Sequence, residues 1–338
     1  MPVSTPLLVA LGGIAIGLLF GALVQRSNFC TNGGLSDRLL TGDGRRLRAW
    51  ALAIAVAMLG TQSLQAMSLV DLGASPYRMR QAWAGQLLGG LLFGFGMALA
   101  GGCPSRALVR LGTGALAQFA VLACIAAGAF LTLRGPLAPF RLGLDEALAF
   151  DLLPAGAPLA GAAPLVLAAT IALLLVWYCF RDKTFRRPRD IIGGTGVGLL
   201  AAAGFALNGF AARDEFEIVP IVSLTFVGPL DETLRYLIAP ADARLSFGFA
   251  SLLGVVAGAL ASSLLNGRFH LRLAARRSEV ARMIGGGLVM GVGGVLALGC
   301  SIGQGVTGLA TLSTGSFAAM AGMLLGAVAG IRLLARLA

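Results

Sequence analysis

Polar residues are so sparse along this chain that long apolar stretches, not a helical or strand period, carry its pattern. A helix needs about 20 consecutive apolar residues to cross a bilayer. Nine stretches approach or reach that length: Pro6–Val24, Ala49–Val70, Ala82–Gly102, Ala115–Leu133, Pro158–Phe180, Ile191–Ala212, Leu245–Leu265, Met283–Cys300 and Phe317–Leu334. They predict an all-α polytopic membrane protein of about nine transmembrane helices. No basic residue precedes the first stretch and no small-residue cleavage site follows its apolar part, so it reads as a retained helix, not a signal peptide. Ile218–Leu230 is apolar but only 13 residues long. It is expected to lie at the outer interface or to dip partly into the bilayer.

Two of the stretches end in the same way. Gly94–Arg110 (GFGMALAGGCPSRALVR) aligns with Gly291–Gly308 (GVGGVLALGCSIGQGVTG), so that Gly96 meets Gly293, Ala100 meets Ala297, Gly102 meets Gly299 and Cys103 meets Cys300. A kink filled by a small residue would account for one such Gly-Cys break; two at matched positions point to a duplication. A second echo supports it: Gly12–Leu19 and Gly193–Leu200 agree at five of eight positions. The chain then divides into a first half of four spans (1–134), a linker with the fifth span (135–190) and a second half of four spans (191–338). Four spans return the chain to its starting side and the fifth carries it across, so the halves are expected to be inverted copies about an axis in the membrane plane. That topology goes with short broken helices and a substrate site near the midplane.

Composition agrees with the pattern and charge orients it. The chain is 57% hydrophobic and 12% charged, about half the charged fraction of a soluble protein, and its mean hydropathy is +0.86. The net charge of +11 could suggest a nucleic-acid partner. Its distribution argues otherwise. Segments 25–48, 103–114, 181–190, 266–282 and the C-terminal end fall on one side and hold 19 of the 26 Lys and Arg, while the other side holds 10 of the 15 acidic residues. This is the positive-inside pattern; it predicts an N-terminus outside and a C-terminus in the cytoplasm, with the lipid bilayer as partner and no nucleic acid. The spans carry almost no acidic residue at central depth, where a proton relay would need one, which favours channel-like passage.

Candidate chemistry rests on thiols. Cys124 and Cys179 lie in plain apolar runs, where cysteine behaves as a small hydrophobe. Cys30, Cys103 and Cys300 lie at breaks, beside glycine or polar residues. The segment Gln25–Gly34 is too polar for a lipid-facing helix and too apolar for a solvated loop, which suits a re-entrant or pore-lining piece; for Arg26 alone, a place at the headgroups is the simpler reading. Pro104 is favoured at the first turn of a helix, so Cys103 is expected at a helix N-terminus, beside unpaired N–H groups that suit an anion. There is no Cys-x-x-Cys pair, and His270 is the one histidine. Zinc, haem and thioredoxin-type sites therefore lack a ligand set, and no cofactor or metal is expected. A neutral thiol is a weak, soft donor. It suits a sulfur-bearing anion that must be held loosely enough to pass on, whereas a thiolate would repel the anion or attack a sulfane sulfur.

Gly299–Gly308, Gly102-Cys103 with Leu108-Val109-Arg110, and Arg26–Cys30 resemble the YeeE/YedE family of bacterial inner-membrane sulfur transporters, and the likeness covers nearly the whole chain. The resemblance implies thiosulfate uptake, from periplasm to cytoplasm, by a multi-pass inner-membrane protein that is not an enzyme. It places Cys300, Cys103 and Cys30 along the path. The motif residues Arg26, Asn28, Gly102, Pro104, Ser105, Arg106, Gly299, Ser301 and Gln304 are its expected supports. It further implies a separate TusA-like cytoplasmic sulfurtransferase as acceptor. The residues after Gly-Cys, Pro104-Ser105-Arg106, vary among relatives with different presumed cargo, so another sulfur or selenium species stays open here. So does a membrane sulfurtransferase that forms a cysteine persulfide.

Overall fold

The structure, a computed structural model, describes residues 5–79, 82–147, 163–212, 220–239, 246–272 and 277–337. Its elements in chain order are α1 (Thr5–Ser27), α2 (Thr31–Leu40), α3 (Arg45–Ala66), a 3₁₀ turn (Leu72–Ala74), α4 (Pro76–Met79), α5 (Trp83–Leu99), α6 (Pro104–Gly112), α7 (Ala117–Leu133), α8 (Ala138–Ala147), α9 (Ala163–Phe180), a 3₁₀ turn (Lys183–Phe185), α10 (Pro188–Ala211), α11 (Val227–Ile238), α12 (Phe247–Leu265), α13 (Arg277–Leu296), a π-helical turn (Gly303–Gly308) and α14 (Thr314–Leu337). Among the described residues there is no strand, only the isolated bridge between Ala115 and Arg272. Among the described residues eight segments are long and apolar enough to cross a membrane, nine if the bent pair α7 and α8 counts as one span. The protein is an all-α polytopic membrane protein.

The nine apolar stretches correspond to α1, α3, α5, α7, α9, α10, α12, α13 and α14, with ends that move for local reasons. α3 starts at Arg45, ahead of the apolar run, because Asp43 caps its backbone: the Arg45 N–H donates to Asp43 Oδ1 at 3.0 Å. The Arg45 guanidinium pairs with the same carboxylate at 2.6 Å and holds its pKa down at about 2. α5 and α13 stop at Leu99 and Leu296, short of their cysteines. The linker expected at the start of 135–190 contains α8, bent 66° from α7, and residues 148–162 lie outside the described set. Of the short stretch Ile218–Leu230, residues 218–219 also lie outside it; the rest runs without regular structure to Phe226 and then enters α11.

Helix packing comes in matched pairs. α1 lies along α12 as α10 lies along α3; α5 lies against α14 as α13 lies against α7; α2 and α6 touch α3 and α7 as α11 and the π turn touch α12 and α14. α5 and α13 cross each other, with Gly89 facing the backbone of Ala297 and Gly286 facing that of Ala100. The early part of each helix thus meets the late part of the other, and the two run antiparallel. A β-carbon at any of these glycines would strike backbone, which is the close approach that small residues permit between membrane helices. α9 stands outside the scheme. It packs on α3 and buries only Ala168, Ala172 and Cys179. Its exposed Leu173, Leu174 and Trp177 face outward, and the Arg181 guanidinium sits 5.3 Å from the Trp177 ring centre, the aromatic and basic combination typical of a membrane boundary.

The basic segments gather at one end of this bundle. Arg48 pairs with Asp182, the Leu116 N–H donates to the Arg272 carbonyl at 3.2 Å, and Arg46, Arg106, Arg282 and Leu334 border one cavity. At the opposite end Ser313 Oγ donates to the Tyr77 carbonyl at 2.6 Å, and Arg134 lies 3.8 Å from Asp231.

Candidate functional site

α5 and α13 end with the same hydrogen bonds. The Gly101 and Gly102 N–H groups donate back to Ala98 and Met97 at 3.2 and 3.0 Å, and those of Leu298 and Gly299 to Val295 and Gly294 at 3.1 and 2.8 Å. This winds the last turn into a left-handed stop. Gly101 adopts it freely at φ 74°, and Leu298 adopts it at φ 58° despite its side chain. Each stop delivers a cysteine into the middle of the protein, and Cys103 and Cys300 are both 1% exposed.

After Cys103 the chain re-enters a regular helix. Cys103 is the N-cap of α6 and Pro104 occupies the first turn, as the proline predicts. The Cys103 thiol contacts Ser105 Oγ at 3.1 Å. It also lies against the thiol of Cys30 and the hydroxyl of Ser301. Cys30 arrives from a third break, as N-cap of α2, with the Gly33 N–H pointing at its sulfur at 3.3 Å. Arg106 Nη2 donates to Asn28 Oδ1 at 3.2 Å, and Asn28 itself holds φ 54°. After Cys300 the chain forms a single wide turn. The Gly303 N–H donates to the Cys300 sulfur at 3.3 Å, the Thr307 N–H bonds back five residues to Ile302 at 3.0 Å, and Gln304 Nε2 donates to the Ala297 carbonyl at 2.6 Å. Wide turns of this kind recur at functional sites.

Of the residues singled out in the sequence, Cys30, Asn28, Cys103, Ser105, Arg106, Cys300, Ser301 and Gln304 thus converge, with Gly102, Pro104 and Gly299 shaping the breaks that carry them. Arg26 does not join them: it is exposed, and its Nε donates to Ser262 Oγ on α12 at 3.2 Å. Cys179 donates to the Arg48 carbonyl at 3.2 Å, a packing bond between α9 and α3.

Polar atoms around the thiols are left unpaired. Thr31 Oγ1, Asn32 Oδ1, Trp50 Nε1, Gln304 Oε1 and Ser316 Oγ are buried without a hydrogen-bond partner. Gln304 and Ser316 come together over Gly308, and Trp50 lies on Gly305. Each such atom costs about 1–3 kcal/mol if nothing ever meets it, so the cluster fits a path visited by a polar guest. Cys30 also borders a cavity of about 450 Å³ whose wall includes Arg46, Arg106, Arg110 and Arg282. Two of these arginines, Arg46 and Arg282, lie outside every motif quoted from the sequence, which shows them only as part of its basic charge; Arg110 belongs to the motif after Cys103 but is not among its expected supports.

The chain matches the family model for sulphur transport over residues 26–329. It is 27% identical to the thiosulfate transporter TsuA of Spirochaeta thermophila, over 93% of this chain and 96% of that one. To the thiosulfate transporter TsuA of Escherichia coli it is 25% identical, over 94% and 92%. A shorter stretch, 28% of this chain, is 38% identical to the probable transporter YedE of Escherichia coli. Residues 26–329 hold all three breaks, their cysteines and the helices that cross between them, and with that match the chain belongs to the sulphur transport family, the YeeE/YedE group of membrane sulfur transporters.

Proposed function

We propose that this protein takes up thiosulfate across the bacterial inner membrane, from periplasm to cytoplasm, by passing it from Cys300 to Cys103 to Cys30 through hydrogen bonds from neutral thiols. One observation carries the reading: three breaks far apart in the chain bring their thiols to one buried place, beside unpaired polar atoms. The full-length likeness to two proteins named thiosulfate transporters supports the cargo. The gathering of the basic segments at one end supports a cytoplasmic C-terminus and a periplasmic N-terminus. The matched contacts and the antiparallel crossing of α5 and α13 support the division into halves 1–134 and 191–338 about the linker and fifth span. A two-fold axis relating antiparallel spans lies in the membrane plane.

Passage is facilitated rather than proton-coupled in this reading. Among the described residues the one buried carboxylate is Asp231, beside Arg134 and away from the thiols. The family resemblance adds a separate TusA-like sulfurtransferase as the acceptor in the cytoplasm. The test is uptake of labelled thiosulfate into proteoliposomes, with sulfite, sulfate and selenium compounds alongside; uptake no faster than into empty vesicles would sink the proposal. Mass spectrometry during turnover separates the relay from a sulfurtransferase. A persulfide on Cys103 or Cys300 would replace the hydrogen-bond relay with covalent transfer.

A further inference from the structure

The cavity beside Cys30 has more charge than an exit needs. Its wall takes Arg46 from α3, Arg106 and Arg110 from α6 and Arg282 from α13, and Arg46 and Arg110 are both within electrostatic reach of Arg106. One carboxylate answers them among the described residues: Asp37, 3.3 Å from Arg46 and outside the cavity wall. Arg106 and Arg110 donate to neutral acceptors, Asn28 Oδ1 and the Gly101 carbonyl, each at 3.2 Å. Those bonds orient the guanidinium groups and neutralise nothing. Like charges crowded against an apolar wall repel one another across a low dielectric, and an anion held between them relieves that cost.

We propose that this vestibule is an anion-binding antechamber that takes a doubly charged tetrahedral oxyanion, of the sulfate and thiosulfate class, next to Cys30. The choice of class rests on the thiosulfate reading; the electrostatics do not. Planar guanidinium forks on three helices match the oxygen edges of such an ion, and about 450 Å³ admits one with part of its water shell. An anion released by the Cys30 thiol, which donates weakly, passes to a site held by full positive charges. The vestibule thus favours dianions over neutral and cationic solutes and draws the cargo off the thiol.

The test uses purified full-length protein in detergent, so that both reagents reach both faces. In a Cys124→Ala/Cys179→Ala background, the anionic sulfonatoethyl and the cationic trimethylammonium-ethyl methanethiosulfonates are timed against Cys30. Ser36→Cys, on the same wall, serves as a second reporter. The anionic reagent should react at least about tenfold faster at either position. Arg282→Gln and Arg110→Gln should each lower that ratio severalfold, and Arg282→Lys should keep it. Sulfate should slow the reaction more than chloride at equal ionic strength. A ratio near one, a ratio unmoved by the glutamine variants, or sulfate protecting no better than chloride overturns the antechamber. A preserved ratio in protein that carries no thiosulfate supports the antechamber and rejects the cargo reading alone.

Discussion

The break after α5 and the break after α13 share a scaffold and differ in everything attached to it. Their capping hydrogen bonds correspond residue for residue, and their glycines face each other across the crossing of the two helices. Beyond the cysteine they diverge. The α5 break continues into the nine residues of α6 with a proline at the start, meets a second thiol at Cys30, and opens onto four arginines. The α13 break continues into a six-residue π turn. Where the first has Cys30 capping α2, the second has Phe226 capping α11, with its ring 5.5 Å from that of Phe20. Its thiol is met by backbone at Ile302, Gly303 and Phe226, and Ser301, Gln304 and Thr307 are all buried. The first break borders an open, basic cavity; the second is lined by backbone and buried neutral side chains. The two breaks thus share their backbone geometry and differ in the side chains set around it.

The comparison breaks first at the thiols. Cys103 touches Cys30, Ser105 and Ser301, so it is the thiol that joins the two breaks. Cys103→Ala removes the donor and should lower thiosulfate uptake into proteoliposomes about 10- to 100-fold, the cost of one hydrogen bond to a charged group. Cys103→Ser keeps a donor and should stay within about tenfold of the parent. Equal loss in both variants would mean that sulfur chemistry, not hydrogen bonding, moves the cargo.

The shared scaffold gives the next largest effect, on stability. Gly94 and Gly291 occupy matched positions. A β-carbon on Gly94 would strike the Met323 carbonyl, and one on Gly291 the Ile125 carbonyl. Gly94→Ala and Gly291→Ala should each cost about 1–3 kcal/mol of packing and lower the melting temperature in detergent by similar amounts. A drop in one variant alone would show that the two crossings carry unequal load. A smaller effect is expected at Ser105. Loss of its 3.1 Å contact with Cys103 in Ser105→Ala should cost about 1 kcal/mol, read as roughly fivefold slower uptake with the melting temperature unchanged.

How much of this could be read from the residues depends on what each signal reports. The spans were legible because bilayer thickness sets their length, and the breaks because a Gly-Cys pair ending an apolar helix is rare enough to notice twice. The paired packing of α1 with α12 and α3 with α10 was not legible. Glycine spacing marks a helix as able to approach a neighbour closely but does not say which neighbour. Arg46 and Arg282 escaped for another reason. In the sequence they belong to basic segments whose charge is explained by membrane orientation, and only the fold, which winds them into the early turns of α3 and α13, brings both to one cavity. Arg26 is the converse: a motif neighbour of Cys30 that the end of α1 turns away, toward Ser262.

The finest difference between the breaks is one residue. Gly101 and Leu298 occupy the same left-handed position, at φ 74° and 58°. For any residue with a β-carbon that conformation costs about 1–2 kcal/mol, and for glycine almost nothing. Leu298 is only half-buried, so its side chain recovers little of the cost through packing. Leu298→Gly should therefore stabilise the protein by up to about 1 kcal/mol, part of the strain relief being offset by the freer unfolded chain. Gly101→Leu should destabilise it by a similar amount. Both are read as shifts of the melting temperature in detergent. If the strain at Leu298 serves transport, by keeping the stop before Cys300 easy to open, then Leu298→Gly will slow thiosulfate uptake while raising the melting temperature. Unchanged uptake in the stabilised variant would make the strain a cost with no part in transport and leave the α13 break to owe its character to the π turn and Phe226 alone.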